Sequence, residues 1–421
     1  MISKNTTYQF IIILFQFTSI LFGQKPAEVF EKDQDNKYHY RETYRFDSVP
    51  DIGNYTISIS NVEGEIFVKG HSGSGAELMI LRNIKSITEK KAKQLVDYNK
   101  IQVFHIEDDN LIQVKSKKTI QYQKDIETRF EWNIPMYINL DLETAGGDID
   151  VRDIRGESML KTSGGDMILL NMMGRIETQT FGGNVDVSHI DGLIRVHTSG
   201  GNIEIINSEG QFNASTSGGD LSFLHLNGNI DAQTTGGSIT LVNIEGESVN
   251  CRASGGDIHA EIITADLKGE TSGGNIDLKQ ITGHTDVSTL GGNIEANQVV
   301  GSLKCHTSGG EIQGIGIIGA VNASTVAGDI KMLLGYDSGI SGYNISLETK
   351  NGDIFIQVPT GLPVNVDVEI YGNVDATDLN SDISINVQSS DFKVTGTGKI
   401  LGGTIPLWLR ATDGTVTIKQ E

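Results

Sequence analysis

Between residues 140 and 334 apolar and polar residues alternate in short runs, and the runs are punctuated at a fixed interval. The punctuation is a five-residue phrase. It is first met as Thr144-Ala-Gly-Gly-Asp148 and Thr162-Ser-Gly-Gly-Asp166, and last as Thr307-Ser-Gly-Gly-Glu311 and the decayed Thr325-Val-Ala-Gly-Asp329. The step is 18 residues throughout, except for one step of 19 between Thr234 and Ala253. After each Gly-Gly comes an apolar pair spaced by two, such as Ile149 and Val151 or Ile203 and Ile205. Before it comes a second pair, such as Phe212 and Ala214. Polar residues such as Asp150, Glu204 and Asp231 thread between them. A period of two places one set inside and the other in water, so the pattern predicts strands.

Each unit reads as two short strands and two turns. The second turn is marked by another glycine column, from Gly156 and Gly174 to Gly301 and Gly319. Glycine suits such a corner because it tolerates positive φ and close backbone approach. One unit cannot bury its apolar face alone, but a stack of them can. The expected fold is therefore all-β, a right-handed parallel β-solenoid of the β-helix or β-roll kind. About eleven 18-residue coils would make a rod roughly 50 Å long. No proline occurs between Pro135 and Pro359, as uninterrupted sheets require.

The flanks read differently. Residues 37–139 predict an N-terminal β-rich cap with strands near 55–60, 65–69 and 111–115. One helix is expected there, opened by Ser86-Ile-Thr-Glu89 as a capping box and running to Asn99. Residues 140–334 form the 18-residue-repeat solenoid. Residues 335–421 read as irregular last coils and a C-terminal β cap, closed by alternation at 364–370 and 414–418. Residues 24–36 are polar and read as a disordered linker. Ahead of them, Lys4, the apolar run from Phe10 to Phe22 and the small Gly23 read as an export signal over residues 1–23. No later segment is apolar enough to cross a bilayer as a helix.

Charge narrows the partners. With 54 acidic against 33 basic residues the net charge is −21, which excludes nucleic acid and leaves divalent cations as a class to weigh. Asp148, Asp166, Asp220 and Asp257 share one column after Gly-Gly, and calcium-binding β-rolls also use 18-residue coils. Those rolls need Gly-Gly-x-Gly-x-Asp at both turns, whereas this phrase runs Gly-Gly-Asp-Ile-Asp at one, and Asn184 and Asn202 stand uncharged in the same column. An Asx turn satisfying local amides is the preferred reading; weak calcium binding is the alternative, and no other cofactor is expected.

The threonine column lies in phase with the inward residues and predicts an internal hydrogen-bond ladder. Cys251 and Cys305 stand three coils apart, about 14 Å, beyond the roughly 7 Å a disulfide allows, and should be reduced and buried. No His-Glu-x-x-His, Gly-x-Ser-x-Gly or Walker loop occurs, so no catalytic residue is expected. Phe181, Phe212 and Phe223 are the aromatics between residues 141 and 332, and the last two point inward by parity. A binding site is therefore sought in the caps, where Tyr38, Tyr40, Tyr44, Phe130 and Trp132 gather.

The Thr-Ser-Gly-Gly-Asp/Asn-Ile repeat follows an export signal and a mixed β cap. Val358-Pro359 and the final Asp413-Gly-Thr-Val-Thr-Ile418 come after it. Over residues 40–421 this resembles the DUF4097 β-strand-repeat family, described as candidate adhesins related to head domains of Bacteroidetes envelope proteins. The resemblance implies a non-catalytic exported adhesin or scaffold in the periplasm, at the cell surface or outside. Such a protein would present a rigid acidic face to an envelope or surface partner, protein or glycan. The alternatives are a β-helix enzyme acting on polysaccharide and a calcium-stabilised structural rod.

Overall fold

The computed structural model describes residues 25–33, 37–86, 88–116 and 125–421, so the expected export signal lies outside the described residues. Strands dominate. Successive long strands such as Val185–His197, Ile203–Thr216, Leu221–Thr234 and Ile239–Ala253 pair in parallel with their sequence neighbours, forming a solenoid-like sheet that does not close into a barrel. Register follows the repeat: Ile203 sits beside Leu221 and Phe212 beside Ile230. The inward columns are almost fully buried, Ile203, Phe212, Leu221 and Phe223 among them, and they join into one continuous core.

The second corner differs from the expected single turn. Each coil bends twice there without breaking the ladder, so Ile203–Thr216 is one bent strand. The first bend is a left-handed residue: Asn171, His189, Asn207, His225 and Asn243 have φ between 50 and 57°. The second is a glycine three residues on, such as Gly174 (φ 124°) or Gly210 (φ 131°). Asparagine is among the few non-glycine residues that enter this region readily. Between the bends a third inward column is buried, including Met172, Ile190, Leu226, Ile244 and Ile281. The 19-residue coil places its extra residue at this corner, where the register shifts between Asn227 and Ile230 and again between Glu245 and Ser248.

The stack continues into both flanks. Strands Thr56–Val62 and Glu65–His71 form a coil beneath Asn139–Thr144 and Ile149–Arg152. At the far end Ile330 pairs with Ile354, and Ile354 with Val416 across a large insertion. That insertion builds one wall outward. Val364–Tyr371 runs parallel to Ile405–Thr412, and Lys393–Lys399 and Ile385–Ser390 follow as antiparallel strands.

Two local expectations are corrected. The stretch read as a disordered linker contains a strand, Ala27–Lys32, antiparallel to Tyr38–Phe46 and anchored by Phe30 stacking on Tyr38 at 5.6 Å between ring centroids. The helix Glu89–Tyr98 is capped by Thr88, which accepts from the Lys91 amide. Ser86 lies too far upstream for its capping box to form. Within the N-terminal sheet, Glu42 and Arg82 form a buried ion pair at 2.9 Å.

Candidate functional site

The Gly-Gly turns are held by two side-chain columns. Thr216 donates from Oγ1 to the Gly201 carbonyl of the coil beneath (2.9 Å) and accepts from the Gly219 amide (3.2 Å). Thr162, Thr180, Thr198, Thr234 and Thr289 repeat this pair of bonds, so the threonine ladder is internal and joins coils through backbone.

The aspartate column does a related job. Asp148 Oδ1 accepts from the Asp166 amide at 2.9 Å, Asp166 from Asn184 at 2.7 Å, Asp220 from Ser238 at 2.8 Å and Asp257 from Asn275 at 2.6 Å. The amide satisfied is the next coil's and not a local one, which corrects the Asx-turn picture. Asparagine serves equally: Asn184 and Asn202 accept in the same way. Asp148 and Asp166 stack directly, whereas Asp220 and Asp257 are separated by the Ser238 coil. Among the described residues no group of three or more His, Cys, Asp or Glu is placed to hold a metal ion.

Cys251 and Cys305 are free and buried, and burial pushes each thiol up to about 12. Only the thiolate reacts. Neither cysteine should therefore label with Ellman's reagent at pH 8 in the native protein, and both should label in urea; rapid native labelling would contradict their burial.

The outward walls are laced from coil to coil. Arg175 and Arg195 converge on Glu177 at 2.6 and 3.0 Å, and their hydrogen bonds hold its carboxyl below the usual range. Glu177 and Arg195 border a groove of about 620 Å³ that also includes His197. His197 Nδ1 meets Ser215 Oγ at 2.9 Å, but His306 with Ser324 and His284 with Ser302 repeat the contact. A serine–histidine pair that occurs three times along the stack, each time bridging one 18-residue step, belongs to the scaffold.

The aromatic residues sort cleanly. Tyr38, Tyr44, Phe130 and Trp132 of the N-terminal cap are core residues. The exposed tryptophan is at the other end: Trp408 is 51% exposed against 3% for Trp132. The strand Ile405–Thr412 buries Leu407, Leu409 and Ala411, which turns Trp408 and Arg410 outward. Beside Trp408 in register stand Ser346 on one side and Asp367 on the other; beside Arg410 stand Glu348 and Glu369. Glu369 accepts from Lys393 (2.7 Å), from Arg410 Nη2 (2.9 Å) and from the Tyr371 hydroxyl (3.0 Å). The lysine contact leads in holding its carboxyl below the usual range. Ser346, Glu348, Asp367, Glu369, Trp408 and Arg410 line a groove of about 400 Å³. Sequence reading passed over Trp408, although the period of two in Leu407-Trp-Leu409 signals its outward direction.

No family model matches the chain, and no curated protein matches it. Among solved structures the chain is similar to that of a candidate cell adhesion protein from Clostridium sporogenes ATCC 15579, at 8% identity over 90% of this chain and 100% of that one, TM-score 0.18. It is also similar to that of a candidate lipid binding protein from Parabacteroides distasonis ATCC 8503, at 14% identity over 71% of this chain and 97% of the other, TM-score 0.21.

Proposed function

We propose that this chain is a non-catalytic exported protein, an adhesin or scaffold that works by presenting the rigid outer walls of its solenoid to a partner at the cell envelope or surface. The observation that carries this reading is the regularity of the walls. From Ile149 to Leu334 the strands follow one another with little more than the Gly-Gly turns between them. Catalytic sites are built where irregular loops bring several groups together on a scaffold. Here the outward charges instead pair with neighbours one coil away, as Lys279 does with Glu261 and Lys304 with Asp286. The net charge of −21 keeps such a rod soluble and repels anionic surfaces. No helix among the described residues is long and apolar enough to cross a membrane.

The test joins binding to turnover. Purified protein is incubated with isolated envelopes and with a panel of polysaccharides, and both retention and new reducing ends are measured. Retention on envelopes without chain cleavage is the expected result. Cleavage that disappears when outward carboxylates are changed to amides would replace the adhesin reading with a polysaccharide-acting enzyme.

A further inference from the structure

We propose that Trp408 is the stacking platform of a glycan-binding subsite on the C-terminal wall, taking a hexopyranose that carries hydroxyls and no carboxylate. The inference deepens the adhesin reading above and rests on it. Three observations converge.

The first is the exposed indole on a rigid support. Its strand is paired on both sides, with Ile345–Asn351 and with Val364–Tyr371, and Leu407 and Leu409 anchor it in the core. A tryptophan with one face in water presents a flat apolar surface at little entropic cost on binding.

The second is the set of polar groups around it. The rows Ser346–Trp408–Asp367–Thr397–Asn386 and Glu348–Arg410–Glu369–Thr395–Gln388 lie side by side across five strands. At about 4.8 Å per strand each row spans roughly 19 Å. A pyranose matches this chemistry: its C–H face packs on the indole while its hydroxyls meet carboxylates, amides and hydroxyls at the ring edge. A protein hot spot would call for an apolar surround, and the neighbours of Trp408 in both rows are polar or charged.

The third is how the charges are committed. Arg410 and Lys393 are both tied to Glu369. The carboxylates of Asp367 and Glu348 have no hydrogen-bond or ion-pair partner among the described residues, which leaves both to accept from sugar hydroxyls. The same two carboxylates repel a uronic acid.

The experiment uses the protein's own fluorescence. It has two tryptophans, and because Trp132 is buried the quencher-accessible emission reports Trp408. Acrylamide quenching is measured while cellohexaose, mannohexaose, chitohexaose or hexagalacturonate is titrated. At least one of the first three should protect the accessible emission, and the uronate should not. By isothermal titration, Trp408→Ala should weaken binding of that sugar by about tenfold or more, and Asp367→Asn should weaken it by a smaller factor. Trp408→Phe should retain part of the affinity, and all three variants should melt with the parent.

Protection by none of the neutral sugars, protection by the uronate alone, or unchanged affinity in Trp408→Ala would overturn the inference. Retention on envelopes tells the two readings apart. If Trp408→Ala is retained like the parent while no sugar binds, the glycan subsite fails and the adhesin reading stands. If the parent cleaves the sugars, it is the adhesin reading that fails.

Discussion

Alanine at Gly219 lowers stability to urea by about 2–4 kcal/mol, whereas alanine at Gly218, its neighbour in the same turn, changes it by less than about 1 kcal/mol. The two glycines look equivalent in the repeat and are not. A Cβ on Gly219 would overlap the carbonyl of Gly201 in the coil beneath and press on the Asn202 amide. Those are backbone atoms held by their own ladder, and they cannot step aside. A Cβ on Gly218 would have its nearest neighbours at 3.6–3.7 Å, an ordinary contact, and this residue does not need positive φ. At Gly218 alanine even offsets part of any cost, because it restricts the backbone of the unfolded chain. Urea titration of both variants followed by circular dichroism decides the matter. Equal losses would mean that contact with the coil beneath does not set the second glycine apart from the first.

A second large effect is expected far from the repeat. At neutral pH Glu42→Gln should cost about 3–5 kcal/mol, because it leaves the buried Arg82 guanidinium without its counter-charge and arginine cannot discharge itself. Arg82 is in any case under-served: its Nε and Nη2 have no hydrogen-bond partner among the described residues. Arg82→Leu should be milder and strongly dependent on pH. Burial already holds the Glu42 carboxyl above its ordinary 4.5, outweighing the opposing pull of Arg82. A carboxyl with a raised folded pKa binds its proton more tightly when folded. Its contribution to stability is therefore fully present below the unfolded value near 4.5 and is lost as pH rises through the folded value. Removing Arg82 raises the folded value further, so the Arg82→Leu variant should approach the parent in stability at pH 5 and fall away by pH 7. Replacing both residues with leucine should recover most of the loss. Urea titrations of the three variants at pH 5 and pH 7 test the scheme, and equal, pH-independent losses in the two single variants would refute it.

The solenoid itself was legible because its determinants are local and repeated. Columns such as Ile203, Leu221 and Ile239 state the inward face many times over, and the Thr-x-Gly-Gly phrase marks one corner of every coil. The other corner was misread as a single turn because its first bend uses Asn, His, Asp, Gln and even Ile262, which no composition rule gathers into one class. The coil formed by Thr56–His71 escaped notice because its neighbour in the stack lies some 80 residues on, as the bond from Thr144 to the Gly64 carbonyl shows. The candidate site was legible only in direction. The expectation that binding groups lie in the caps pointed to the N-terminal aromatics, whose alternation with polar residues looks much the same whether the aromatic face packs on a second sheet or meets water. At the other end Trp408 stands among inward leucines, and parity alone would have turned it outward.

The 19-residue coil shows where this architecture admits change. One surplus residue between Glu245 and Val249 is taken up as a bulge, and the pairing recovers at once, with Cys251 beside Ala232 as if nothing had been added. The Gly-Gly corner offers no such slack, since each of its second glycines is wedged against the coil below. Insertions inherited by this lineage should therefore accumulate along a single seam of the rod, and that seam is the place to graft a loop, an epitope or a new active site without disturbing the stack.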